Sequence, residues 1–322
     1  MMNLRYTGGP AEQDINRLFS RWMEEMLNED EKVVYLDADL MRGLNTADLW
    51  KKRPDRVYNC GIQEGNMVAV AAGLCLAGYK PYVHSFTPFV TRRAYDQIAV
   101  SVAYAHKSVH LIGTDAGILA SDNGGTHMCF EDVAIIRAIP EACVIDVTDA
   151  AMFHALLRNT KDRSGVTYFR TGRRNMPDVY LMDTEFEVGC GKVLAEGTDV
   201  TVIASGIMVA SALEAAKALR QEGIRARVVD PVTIKPLDEP LVLKCAAETG
   251  AIVSAENCNV IGGLGSAVAE LVCGTKPVPV VRVGVEDQFG QTGPVGFLRE
   301  AYGLTPERII EGVREALCMK GR

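Results

Sequence analysis

No uninterrupted apolar run in this chain approaches the roughly 18 residues that a membrane-spanning helix needs. The first residues, Met1 to Gln13, are polar and broken by Gly8-Gly9-Pro10, which is not the pattern of a signal peptide. No Cys-x-x-Cys pair occurs among the nine cysteines, which are scattered from Cys60 to Cys318. Several of them sit in apolar runs, as reduced core thiols do, so the sequence predicts a reducing cytoplasm and no cysteine metal site. Positive charge is in deficit: 34 Lys and Arg against 41 Asp and Glu leave a formal net charge of −7. That balance argues against a nucleic-acid or anionic-membrane partner. Internal repeats and low-complexity tracts are also missing. What remains is an ordinary globular composition, 48% hydrophobic and 23% charged over 322 residues, a length that predicts about two domains.

The first half alternates short β-rich runs with helical stretches. An amphipathic helix from about Asp14 to Leu27 precedes a strand at Val33–Leu36, and further strands are expected at Pro81–His84, Ser108–Ile112 and Cys143–Asp146. Helices are expected between them, at Gly65–Leu76, Tyr95–Ala105 and Ala150–Leu157. Strands separated by helices predict a parallel sheet covered on both faces, with ligands at the carboxyl ends of the strands. The rhythm is lost from Thr171 to Glu187, which reads as a linker. It resumes with strands at Val200–Ala204, Ala226–Asp230, Ile252–Ser254 and Val278–Val283, and helices at Met208–Glu222 and Pro306–Leu317. The expectation is α/β: two doubly wound domains with mainly parallel sheets, residues 12–170 and 191–322, joined by a linker at 171–190.

Glu64, in Gly61-Ile62-Gln63-Glu64-Gly65-Asn66-Met67, places one carboxylate at the head of an almost uncharged segment rich in Ala and Gly. An ionised carboxylate at a buried helix end needs a partner, because desolvating it alone costs several kcal/mol. Taken by itself, Glu64 reads as a helix cap or a satisfied core residue as readily as a chemical group. The run Gly262-Gly263-Leu264-Gly265-Ser266 lacks the full G-x-G-x-x-G spacing, so it predicts close backbone packing at a helix start and no ligand.

The order and spacing of several pieces resemble the pyrimidine-binding domain of transketolases and related thiamine-diphosphate enzymes. These are the Glu64 motif, Ser85-Phe86-Thr87-Pro88-Phe89-Val90, Ala94-Tyr95-Asp96-Gln97-Ile98, Gly124-Gly125-Thr126-His127 and Phe130-Glu131-Asp132. Val228-Val229-Asp230-Pro231-Val232-Thr233-Ile234-Lys235-Pro236-Leu237-Asp238 resembles the transketolase C-terminal domain. The resemblance implies thiamine diphosphate as cofactor. Its 4′-amino group removes the proton at C2 of the thiazolium ring, and a carboxyl group on the pyrimidine N1′ favours the tautomer that does so. Glu64 matches that carboxyl, which keeps a proton more readily in apolar surroundings. Phe86 and Phe89 match the aromatics enclosing the pyrimidine, with Arg92 or Arg93 near the ring edge, and Asp39 matches an aspartate near the cofactor. His127 matches a histidine that contacts the substrate carbonyl and hydroxyls. Arg173 matches an arginine that holds the far phosphate of sugar phosphates; read alone, it is equally a solvated linker charge.

The pattern also departs from the family. Asp115 stands where a histidine is expected, Asn123 where an aspartate senses hydroxyl stereochemistry, and Gly43 where a serine is expected. Asp115 is expected to repel a phosphate, at about 4 kcal/mol for a unit-charge pair 4 Å apart at an effective dielectric of 20, with Arg42, Arg173 and Arg174 as offsets. The family's Gly-Asp-Gly motif for Mg²⁺ occurs nowhere in the 322 residues, so no metal ligand is assigned to this chain. The resemblance therefore implies the C-terminal subunit of a split transketolase, with Mg²⁺ ligands on a separate diphosphate-binding subunit and an α2β2 assembly. It would transfer a two-carbon ketol unit between sugars or sugar phosphates. The rivals are the β subunit of a 2-oxoacid dehydrogenase decarboxylase, a 1-deoxyxylulose-5-phosphate-synthase-like condensing enzyme, and a non-catalytic scaffold. Phe-Thr-Pro-Phe, Thr-His and Thr-Ile-Lys-Pro-Leu-Asp favour transketolase, and retention of Glu64, Phe86, Phe89 and His127 argues against a scaffold.

Overall fold

A computed structural model describes residues 4–8, 13–174 and 176–321. Asn175, next to Arg173-Arg174, and residues 12 and 322, the expected outer limits of the two domains, lie outside the described residues. Six strands, β1 (Val33–Asp37), β2 (Val57–Asn59), β3 (Lys80–Phe86), β4 (Val109–Thr114), β5 (Cys143–Asp146) and β6 (Val166–Arg170), pair in the order β2-β1-β3-β4-β6-β5. Every pairing in this sheet is parallel. Helices α1 (Ile15–Glu29), α2 (Ala47–Lys52), α3 (Glu64–Leu76), α4 (Thr87–Val90), α5 (Asp132–Arg137) and α6 (Ala150–Asn159) surround it, with a π-helix at Gln97–Tyr104 and a 3₁₀ turn at Gly117–Ala120. Strands β1, β4, β5 and β6 are buried along their whole length, as a parallel sheet covered on both faces requires.

Helix α1 starts where the Asp14 carboxylate accepts from Asn16 N, and it buries Ile15, Phe19, Trp22, Met23, Met26 and Leu27 along one stripe. Phe19 stacks on Phe153 of α6 with ring centroids 5.8 Å apart. Helix α3 is different: it is apolar all round and has no polar face.

The second sheet contains β7 (Lys192–Ala195), β8 (Val200–Ala204), β9 (Ala226–Asp230), β10 (Ile252–Asn259) and β11 (Val280–Val285), in the order β11-β10-β8-β9-β7, with β7 antiparallel at the edge. Helices α7 (Met208–Gln221), α8 (Glu239–Thr249), α9 (Leu264–Thr275), α10 (Val295–Ala301) and α11 (Pro306–Lys320) accompany it. At the glycine run, the Glu256 carboxylate accepts from Leu264 N at 2.6 Å and Gly265 N at 2.8 Å. A side chain of this protein thus fills the place an anion would take at the α9 N-terminus, and a Cβ on Gly263 would collide with it. This is the close packing the sequence predicts.

Residues 171–191 form no helix or strand among those described, yet Met176, Val179, Tyr180 and Phe186 are buried. The stretch is a packed strap rather than a free linker. Beside it Arg170 ties the domains together: its guanidinium donates to Asp132 (2.7 Å), Asp146 (3.1 Å) and the Asn257 carbonyl (2.6 Å). Ser205 Oγ of the second domain donates to the other Asp146 oxygen at 2.7 Å.

Candidate active site

The order β2-β1-β3-β4 brings the loops after four adjacent strands to one edge of the first sheet, and Asp37 on β1 lies in register with His84 on β3, and Phe86 with Thr114 on β4. Glu64 opens α3 at this edge and is 1% exposed. Its Oε1 accepts from Ser85 Oγ at 2.8 Å and its Oε2 from Arg93 Nη1 at 2.8 Å. The Arg93 guanidinium also lies 3.9 Å from the centroid of the Phe89 ring, a cation–π contact. Glu64 is therefore a paired carboxylate, held from two sides, rather than a group in a purely apolar pocket.

Phe86 and Phe89 meet edge to face at 6.3 Å, and His127 sits edge-on to both, at 5.6 and 5.1 Å between centroids. Burial, and next the Arg93 charge, push the His127 pKa below its usual value, against an opposing pull from Asp115. This favours the neutral imidazole, whose Nδ1 lies 2.9 Å from Thr126 Oγ1. Arg92 points elsewhere: it donates to Glu131 at 2.5 Å. Of the two arginines named from the sequence, Arg93 lies on the glutamate and the Phe89 ring, and Arg92 pairs with Glu131. Asp39 is exposed, has φ +63°, and accepts from Asn59 Nδ2 at 3.1 Å.

Asp115 and Arg173 form a two-pronged ion pair, Nε to Oδ1 at 2.9 Å and Nη2 to Oδ2 at 2.5 Å. Asp115 is accordingly no lone charge facing the substrate: of the three arginines expected to offset it, Arg173 answers it directly. The pair also occupies the side of the guanidinium fork that would grip a phosphate. The remaining Nη1 lies against Gly43, where an added Cβ would stand 2.8 Å from it. The serine that the resemblance leads one to expect at 43 would displace Arg173. A cavity of about 760 Å³ opens beyond the pair, lined by Asp115, Asn123, Arg173 and Arg174 from the first domain and by Glu214 and Arg299 from the second.

Sequence reasoning missed Ser85 and the second-domain wall. Ser85 lies directly before Phe86 in the quoted motif, so the strand alternation that points Phe86 one way and Ser85 the other was the available signal. Behind the site, His84 Nδ1 lies 2.7 Å from Asp37 and its Nε2 3.0 Å from Thr114 Oγ1, a buried chain joining three strands. Among the described residues no group of three or more His, Cys, Asp or Glu side chains is arranged to hold a metal ion, and no helix is long and apolar enough to cross a membrane.

A parallel α/β domain with a buried glutamate at the head of an apolar helix, beside two phenylalanines and a histidine, is the pyrimidine-binding architecture of thiamine-dependent enzymes. The model of the transketolase pyrimidine-binding domain matches residues 11–179, and that of the transketolase C-terminal domain matches residues 189–309. The chain belongs to the transketolase family, whose enzymes are transferases that depend on thiamine diphosphate. It is 45% identical over 291 residues to the 6-deoxy-6-sulfo-D-fructose transketolase subunit SqwH of Clostridium sp. (strain MSTE9), covering 90% of each chain. It is 34% identical over 298 residues to one subunit of the apulose-4-phosphate transketolase of Phocaeicola vulgatus, covering 92% of this chain and 95% of that one. Among solved structures, a split-gene transketolase described as an inactive β4 tetramer superposes with a TM-score of 0.85 at 42% identity, covering 94% of this chain and 97% of that one.

Proposed function

We propose that this chain is the pyrimidine-binding subunit of a two-chain transketolase, moving a two-carbon ketol unit from an anionic ketose to an aldose. One observation carries this: Glu64 is buried at the head of α3, oriented by Ser85 and Arg93, beside Phe86, Phe89 and His127. These residues fit thiamine diphosphate, with Glu64 toward the pyrimidine nitrogen and the two phenylalanines against the ring. When bound, that cofactor supplies the carbon nucleophile that breaks and forms the bond next to the ketose carbonyl. Glu64 would hold a proton at the ring nitrogen, with Ser85 fixing its carboxyl plane and Arg93 beside its second oxygen. His127, at the ring edge with its Nδ1 on Thr126 Oγ1, offers its Nε2 for one hydrogen bond to a substrate oxygen. Asp39, on the loop after β1, would be a further contact to the cofactor.

Mg²⁺ and the diphosphate belong, in this reading, to a separate subunit. Support comes from the two relatives named as subunits and from an uncovered apolar surface on the Glu64 helix and the adjoining π-helix. Ile62, just before the Glu64 helix, and Val70, Leu76, Val100 and Tyr104 are 70%, 42%, 71%, 54% and 83% exposed there. Large contiguous apolar patches mark interaction sites. An α2β2 assembly with two interfacial sites satisfies this surface. A cytoplasmic location fits the nine free cysteines. The substrate's far end is read by Arg173 Nη1 with Arg42, Arg174 and Asn123 rather than by the full Arg173 fork, so a sulfonate or an altered phosphate sugar is preferred over the ordinary pentose phosphates. The test is reconstitution: mixed with the diphosphate-binding subunit, thiamine diphosphate and Mg²⁺, the chain gains ketol-transfer activity. Robust transfer by this chain alone overturns the two-subunit reading.

A further inference from the structure

The loop from Asp115 to Phe130 carries Asp115, Asn123 and His127, and most of the hydrogen bonds that reach its backbone from outside come from the second domain. Asn257, on β10 and 1% exposed, bonds both backbone polar groups of the turn after β4: its Nδ2 donates to Ala116 O at 3.0 Å and its Oδ1 accepts from Ile118 N at 3.1 Å. Gly117, with φ +54°, lets the turn approach so closely that a Cβ would collide with Asn257. Further along, Gly293 N donates to Ser121 O at 3.4 Å. Gly124 faces Thr292, and Gly125 faces the Gly290 carbonyl, both without room for a Cβ. At the far end Asn259 N donates to Phe130 O at 2.8 Å, and Tyr302 packs edge-on to Phe130 while its hydroxyl donates to Phe289 O at 3.0 Å. The first domain contributes the Ala116 N to Thr171 O bond at 3.2 Å, the two-pronged Asp115–Arg173 pair, Phe86 and Phe89 against the His127 ring, and, just past the loop, the Arg92–Glu131 pair.

We propose that the second domain sets the position of the substrate loop, with Asn257 as the positioning residue and Tyr302 holding the opposing 289–293 segment. A loop of 16 residues with glycines at 117, 124 and 125 has wide freedom of its own. Its placement must come from what clamps it, and a side chain misplaced by about 1 Å costs on the order of 100-fold in rate. The second domain thereby enters the specificity of a site whose reacting groups all lie on the first. The activity arm of the test rests on the proposed role of His127; the spectroscopic arm does not.

The experiment labels the histidines of the full chain, which has five, for NMR, with His127→Gln to assign the His127 ring signal. Asn257→Asp keeps the shape and the Ile118 bond but removes the donor to Ala116 O; Tyr302→Phe keeps the ring on Phe130 and removes only the hydroxyl. The expected result is a displaced His127 signal in both variants, with those of His84, His106, His110 and His154 unmoved. In the reconstituted enzyme kcat/KM falls about tenfold or more, mainly through KM, while thiamine diphosphate affinity stays constant. A His127 signal at its wild-type position in both variants overturns the proposal. A displaced signal with unchanged kcat/KM supports the positioning and instead overturns the substrate role of His127.

Discussion

Glu64 has both carboxylate oxygens engaged, so its replacement by Gln keeps one acceptor and loses the group that can hold or share a proton. Glu64→Gln is expected to leave folding and assembly intact and to slow C2 proton exchange of bound cofactor by about 10²–10⁴-fold, the usual worth of general acid–base assistance. NMR-detected exchange in the assembled variant checks this, and a wild-type rate removes Glu64 from its role. Asp115→Asn gives a second prediction. Without the carboxylate, Arg173 is released from its two-pronged pair and offers its fork to phosphate. The ratio of kcat/KM for xylulose 5-phosphate to that for a sulfonated ketose is expected to rise about tenfold, equivalent to about 1.4 kcal/mol. An unchanged ratio means the pair has no part in specificity. Glu64, Phe86, Phe89 and His127 were legible in the sequence because each sits in a short run with fixed spacing. The Asp115–Arg173 pair was legible only as one of three candidate offsets, because it spans 58 positions and two strands. The choice of Arg93 over Arg92 was not legible, since it depends on the turn taken after α4.

Most strands, and helices α1, α3, α6, α7 and α11, followed from periodicity; α2, α4, α5, α8 and α10 were not expected, and the missed strands have physical reasons. β2 is three residues long. β6 ends in Arg170, and a charged terminus disguises a strand whose arginine is buried by carboxylates from other elements. β7 is a short antiparallel edge, outside the pattern of alternating strand and helix. The helix expected at Tyr95–Ala105 exists but is wound as a π-helix over Gln97–Tyr104, a form that no hydrophobic period announces. Its exposed face and that of α3 yield the third prediction: Val70→Asp or Leu76→Glu leaves circular dichroism unchanged and abolishes assembly with the partner subunit in sedimentation. Full assembly in both variants would move the interface elsewhere. On β4, His110 stacks on Tyr82 at 4.3 Å and its Nε2 reaches Thr160 O at 2.8 Å. Burial lowers its pKa to about 4. An unfolded histidine takes up its proton near pH 6.5, the folded one only near pH 4. The stability His110 confers is thus complete above pH 6.5 and is lost as pH falls toward 4, by up to roughly 3 kcal/mol. Urea midpoints against pH measure it, and His110→Phe, which keeps a ring on Tyr82, should flatten the slope.

Across the whole molecule the two domains are joined by a buried charged hub rather than by an apolar seam alone. Arg170 is 1% exposed and answers Asp132 and Asp146 together. Arg170→Met leaves two carboxylates buried without their cation, at a cost of about 3–5 kcal/mol. Denaturant unfolding should show that loss, and a single transition should split into two as the domains uncouple; an unaltered midpoint would mean the strap and not the hub holds them. The two-domain plan was readable from the break in rhythm at Thr171. The hub was not, since a lone arginine at a strand end carries no sign of its distant partners.

On the two-subunit reading proposed above, the bare face of α3 and the π-helix has a meaning for the cell that makes this chain. A copy leaving the ribosome ahead of its partner holds Val70, Leu76 and Tyr104 in water until something covers them. Matched translation of the two subunits, ideally from adjacent messages, shortens that interval. Copies made in excess meet only their own kind, and an aggregate or a homo-oligomer closes the face. The ratio of synthesis, more than the amount of either subunit, then decides how much working enzyme accumulates.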